Sequence, residues 1–137
     1  MNIETYKIGN NENPILLEME ILTVFGALIT PGVDVYIGNK RVPKEQQENT
    51  TDIHPSFLIG KASDLSNGLL AVDVVINLKY VDPDLWDDAY DDLVINYKLK
   101  GGLKDEEYKH KETDIKHKSN TGRIIQTDKR FFLQQQS

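Results

Sequence analysis

Between Asp82 and Asp92 the chain places six aspartates, Asp82, Asp84, Asp87, Asp88, Asp91 and Asp92, with no basic residue among them. Carboxylates at this density could do one of two things. They could collect a hard cation, which requires several oxygens converging at roughly 2.3 to 2.6 Å, or they could present a fixed negative surface to a cationic partner. The spacing fails an EF-hand loop. With Asp82 and Asp84 as the first and third ligands, Trp86 falls at the fifth position, Asp87 where a glycine is required, and Leu93 where a bidentate glutamate is required. No metal ligand is therefore assigned and no cofactor is expected. A docking surface is the expected use of the segment, formed by Asp84, Asp87, Asp88, Asp91 and Asp92.

Other chemistry is sparsely represented. The three histidines, His54, His110 and His117, stand in polar, charged surroundings and are expected on the surface. Nucleophile elbows, zinc-binding helix pairs, dinucleotide turns and phosphate loops have no counterpart, the nearest approach being Gly60-Lys61 followed by Ala62 where a hydroxyl is needed. The absence of cysteine removes disulfides, thiolate metal sites and a thiol nucleophile together. Asp34 and Asp73 fall in the outward phase of strands, where a solvated acid belongs. Tyr36 and Trp86 could stack on a sugar, giving an alternative reading: a carbohydrate or small-ligand module with a cation at 82–92. A hydrolase using His54 or an acid pair is the remaining alternative. No catalytic residue is named.

Of 137 residues, 16 are Lys or Arg and 22 are Asp or Glu, a formal net charge of −6. The sign argues against a nucleic-acid binder, whose affinity comes largely from neutralising phosphates. Charge is also unevenly spread. The first 97 residues carry 6 basic and 16 acidic side chains, while the last forty carry 10 basic and 6 acidic. Lys109, Lys111, Lys116 and Lys118 make the complementary basic surface, so the expected partner is a protein, including a second copy of this chain. A contact between acidic and basic patches would be heterologous and would build rings or filaments.

These groups must be carried by strands. Leu70, Val72, Val74, Ile76, Leu78 and Tyr80 occupy every even position, with Asp73, Asn77 and Lys79 among the odd ones. Leu93, Ile95, Tyr97 and Leu99 repeat the alternation of a half-buried strand. Ile15 to Ile29 alternates in the same way and is expected to close at a Pro31-Gly32 turn. Val33 to Ile37 and Arg41-Val42 flank Gly38-Asn39 as a hairpin. Arg123 to Leu133 supplies a final strand or strand pair. Between the two clearest strands, Asp82-Pro83 opens one or two helical turns, with Trp86, Ala89, Tyr90 and Leu93 on one face. Pro43 to Ile53 reads as an exposed loop, and its Asn49-Thr50-Thr51 matches a glycosylation pattern that is expected to go unused.

No long amphipathic helix is available to cover the strands, so the second layer is expected to be another sheet. The expected fold is all-β, an antiparallel β-sandwich or flattened barrel with one short helix at 82–92. It divides into a polar arm over 1–14, a single domain over 15–133 and a polar tail over 134–137. With neither a secretory signal nor a membrane-spanning run at the start, a cytoplasmic place or one within an assembled particle is expected. The function expected is that of a non-enzymatic structural or adaptor subunit, in the manner of small β domains in phage tails and secretion particles, an analogy of fold alone.

Overall fold

The computed structural model describes residues 2–22, 25–46 and 50–136, the side chains of 43–46 excepted. Two sheets face each other. The first contains β1 (Ile3–Ile8), β3 (Leu28–Ile37), β4 (Lys40–Gln46), β6 (Gly68–Asn77), β9 (Ile115–Lys118) and β10 (Ile124–Gln135). Its order is β1-β10-β6-β3-β4, with β9 beside the first half of β10. The second contains β2 (Pro14–Leu22), β5 (Ser56–Lys61), β7 (Val94–Lys100) and β8 (Glu106–Lys109) in the order β5-β2-β7-β8. Every pairing is antiparallel except that of β1 with β10.

The alternation of β6 explains the interior. Leu70, Val72, Val74 and Ile76 point inward and are fully buried, facing Ile15, Leu17 and Ile21 of β2 and Ile95 and Leu99 of β7 in one continuous core. Burial of each such side chain favours folding by about 1.5 to 3 kcal/mol. The sandwich is thus the answer to two half-apolar sheets with no helix to cover either.

Several local expectations are corrected. Ile15 to Ile29 is two strands, because the chain turns at Phe25 and Gly26, both at positive φ (52° and 79°). Pro31-Gly32 does not end a strand. The inward phase of Ile29, Pro31, Val33 and Val35 runs straight through it, and Pro31 and Gly32 pair with Val74 and Asp73 of β6. The anticipated polar arm is β1, with Tyr6 and Ile8 buried, and the tail is shortened because β10 continues to Gln135. Tyr80 leaves the buried phase and is 70% exposed, since β6 stops at Asn77 and a turn from Leu78 to Val81 carries the chain outward. The hairpin strand β4 extends into the expected loop as far as Gln46, while Asn49 lies outside the described residues.

One glycine is forced by a close approach. Gly101 has φ +94°, and a Cβ there would lie 1.9 Å from the Pro14 carbonyl oxygen. The chain after β7 squeezes past the start of β2 at this point. It is then pinned to β1 by Gly102 N–H donating to the Tyr6 hydroxyl and Leu103 N–H donating to the Lys7 carbonyl.

Candidate functional site

The connection between β6 and β7 begins as a 3-10 turn, Pro83–Leu85, and continues as the short helix α1 (Trp86–Asp91). Asp82 starts it, its carboxylate accepting from Asp84 N–H at 2.9 Å. On the inner side Ala89 is buried, Trp86 and Tyr90 pack on the core, and the Trp86 indole donates to the Val81 carbonyl at 2.9 Å. Asp84, Asp87, Asp88, Asp91 and Asp92 all point to solvent. Asp91 and Asp92 oppose the helix dipole at its C-terminal end, consistent with a helix of six residues.

The predicted basic residues are partly engaged by this same connection. Lys116 of β9 donates to the Tyr90 carbonyl at 2.7 Å and lies 4.3 Å from the Tyr90 ring centroid. Lys118 sits 4.8 Å from the same ring and 3.7 Å from an Asp87 oxygen. The Tyr90 hydroxyl reaches the Lys116 carbonyl. Acidic and basic patches, expected to meet between molecules, therefore meet in part within one chain, and Asp84, Asp88 and Asp91 stand on the outward side of that joint. Lys109 is exposed on edge strand β8, and Lys111 binds Glu4 at 3.0 Å.

A second ionic group occupies the interior. Lys129 lies on the inward phase of β10 between Thr127 and Phe131, and its side chain is 0% exposed. Its ammonium contacts Asp114 at 2.7 Å, also 0% exposed, and Glu4 of β1 at 3.2 Å. Asp114 Oδ2 also accepts from Lys111 N–H at 2.8 Å, whereas its Oδ1 has no hydrogen-bond partner among the described residues. Burial works to raise the Glu4 pKa, but hydrogen bonds and charge from Lys111 and Lys129 outweigh it and leave the carboxyl below its ordinary value.

Aromatic rings line the same end of the core. Phe131 meets Tyr97 and Tyr108 edge-on, with centroids 5.6 and 5.0 Å apart. Tyr97 lies 3.3 Å from His110 Nδ1. Burial holds the His110 imidazole below its ordinary pKa against the opposing pull of Asp114, and raises the Tyr97 hydroxyl well above its own. His110 was expected on the surface; it is half-buried, because the link from β8 to β9 folds back over Tyr97. His54 and His117 are exposed. Beside β8 opens a cleft of about 810 Å³ whose walls include Glu4, Met19, His54, Tyr97, Tyr108 and Lys111. Burial, then the charges of Glu106 and Glu4, push the Tyr108 hydroxyl up to about 12.

Asp34 and Asp73 lie on the outer face of the first sheet as expected, and Asp128 pairs directly across from Asp73. Burial, then repulsion from Asp128 and Asp34, raises the Asp73 carboxyl to about 6, although solvent still reaches it. Arg41 binds Asp34 and Arg130 binds Asp128, at 3.1 and 3.3 Å. Tyr36 shares this outer face, whereas Trp86 leans inward on the connection, so the two proposed stacking rings belong to different parts of the surface. Among the described residues no group of three or more His, Asp or Glu side chains converges as a metal-binding set.

Sequence reasoning missed the Lys129, Asp114 and Glu4 group. The signal was present for one member: Ile125, Thr127, Lys129, Phe131 and Leu133 share a strand phase, which places a lysine among inward-facing residues. Fold and sites together define a two-sheet β-sandwich with an acid-bearing connection outside and a buried Lys129–Asp114 pair inside, joined by the partly exposed Glu4. No protein-family model matches the chain, and comparisons with curated proteins and with solved structures likewise return no match. No helix among the described residues is long and apolar enough to cross a membrane.

Proposed function

We propose that the protein is a non-enzymatic structural or adaptor module that docks a basic protein surface, including that of another copy of itself, through the connection 82–92. One observation carries this reading: the connection is held in place on its inner side by Trp86, Ala89, Tyr90 and Lys116 while Asp84, Asp88 and Asp91 face outward. A surface ordered before contact loses less conformational freedom on binding. Surface charge pairs contribute only about 0 to 1 kcal/mol each, so charge steers the approach while apolar contact or strand pairing must hold it. The exposed Leu85 on the connection and Val94 at the start of β7 offer such apolar area beside the aspartates.

The test for self-association is particle mass by light scattering at low and moderate salt, for the native chain and for a variant with Asp84→Asn, Asp88→Asn and Asp91→Asn. The reading expects association that weakens with salt and is lost in the variant. A variant mass equal to the native mass at every salt concentration rejects docking of a second copy through these aspartates. The cleft beside β8 supports a second reading, a site for a small polar ligand such as a carbohydrate. A melting temperature raised by saturating oligosaccharide in the native chain, and unraised in Tyr108→Ala, would favour it.

A further inference from the structure

We propose that Lys129 and Asp114 condense into an intramolecular isopeptide bond, with Glu4 moving the proton, so that β10 and the link entering β9 become covalently joined inside the sandwich. The reacting groups are already in contact. Lys129 Nζ and Asp114 Oδ2 are 2.7 Å apart, and both side chains are fully buried. A third group stands where a proton relay is needed, Glu4 Oε2 at 3.2 Å from the same nitrogen.

The reaction balances without any co-reactant. Proton transfer from the Lys129 ammonium to the Asp114 carboxylate gives a neutral amine and a carboxylic acid. The amine lone pair attacks Cγ and a C–N bond forms. Glu4 accepts the proton the nitrogen sheds and returns it to the departing hydroxyl, which is Oδ2 beside that nitrogen; the Cγ–Oδ2 bond breaks, and one water leaves. The surroundings favour each stage. Lys111 N–H, 2.8 Å from Oδ2, fixes that oxygen against Lys129 Nζ, from which it takes the first proton. Oδ1 has no hydrogen-bond partner among the described residues and is the oxygen retained as the amide carbonyl.

Thermodynamics points the same way. Two opposite charges in an interior lined by Phe131, whose ring centroid is 5.8 Å from Nζ, retain a desolvation penalty that a neutral amide does not. Holding the partners in one geometry replaces the encounter that makes amide formation slow in water, and burial then shields the product from hydrolysis.

The test is the intact mass of the purified full-length chain after denaturation. The proposal expects a mass lower than that of the sequence by one water, and a tryptic digest in which segment 112–116 is joined to segment 124–130 because Lys129 no longer offers a cleavage site. Lys129→Arg and Asp114→Ala are each expected to show the full mass. Glu4→Gln, which preserves shape, is expected to slow the appearance of the lighter species. A native chain at full mass overturns the proposal without reference to any variant. So does a water loss that maps elsewhere, such as to an aspartyl succinimide or to a Lys129–Glu4 linkage. Cross-linking in Glu4→Gln at the native rate overturns the assignment of Glu4 as the relay.

Discussion

The connection 82–92 and the interior around Lys129 use charge in opposite ways. The connection gathers six aspartates in eleven residues and leaves them exposed, so Asp84, Asp88 and Asp91 are cheaply hydrated at the surface. The interior holds one ammonium and two carboxylates, drawn from β1, β10 and the link between β8 and β9, at separations of 2.7 and 3.2 Å. There the energetics depend on completeness, because a buried charge deprived of its partner is far more costly than the pair is favourable. Number of charges therefore predicts little about structural weight. The acid-rich region is free to serve recognition, and the sparse one bears on stability.

The sharpest way to break this contrast is Asp114→Ala, which deprives Lys129 of its fully buried partner and with it of the proposed bond. A loss of about 3 to 5 kcal/mol is expected, read as a lower denaturant midpoint. Trp86→Ala should follow at about 2 kcal/mol, since the ring packs on the core only in part and its indole hydrogen bond to Val81 is lost as well. That variant also releases the inner face of the connection, so local hydrogen exchange over 83–92 should accelerate more than exchange in β6.

Acid should weaken the interior in two stages. His110 has a folded pKa below its ordinary 6.5, so the unfolded chain takes up that proton first. Stability is whole above 6.5 and declines as pH falls through the folded value. Glu4, held below 4.5 by its lysines, adds a second decline as pH drops beneath that value. His110→Gln should flatten the first stage and leave the second. The outer face should behave in the opposite sense. Asp73 is raised to about 6 from 3.8, so its ionised form opposes folding above that window and the penalty disappears as the carboxyl protonates. Because solvent screens the site, Asp73→Asn should stabilise the protein at pH 8 by on the order of 1 kcal/mol or less, with no gain near pH 3.

Much of the architecture was readable from alternation. Leu70 to Ile76 and Ile95 to Leu99 declare their buried faces, and with no helix to cover them a second sheet follows. Asp82-Pro83 likewise marks the helical turns, because the cap and the proline act locally. What alternation could not resolve was partnership across long separations. Ile3 to Ile8 reads as a polar arm because Glu4, Thr5 and Lys7 dilute Tyr6 and Ile8, and only parallel pairing with Arg130 to Gln135 makes it a strand. The same pairing brings Glu4 to Lys129. His110 and Asp114 sit in a run of Lys, Glu and Asp whose composition signals solvent, and it is the return of the β8 to β9 link over Tyr97 that buries them. The acidic connection stood out because its charge is contiguous, whereas the interior group is assembled from residues up to 125 positions apart.

The most direct measurement is a side-by-side denaturant titration at pH 7 of the native chain, Asp114→Ala, and the combined Asp84→Asn, Asp88→Asn and Asp91→Asn variant. One interior carboxylate should account for several kcal/mol, while three on the connection together shift stability by no more than about 0.5 kcal/mol. Equal losses in the two variants, or a larger loss from the connection, would contradict the division of labour between the buried ionic group and the exposed one.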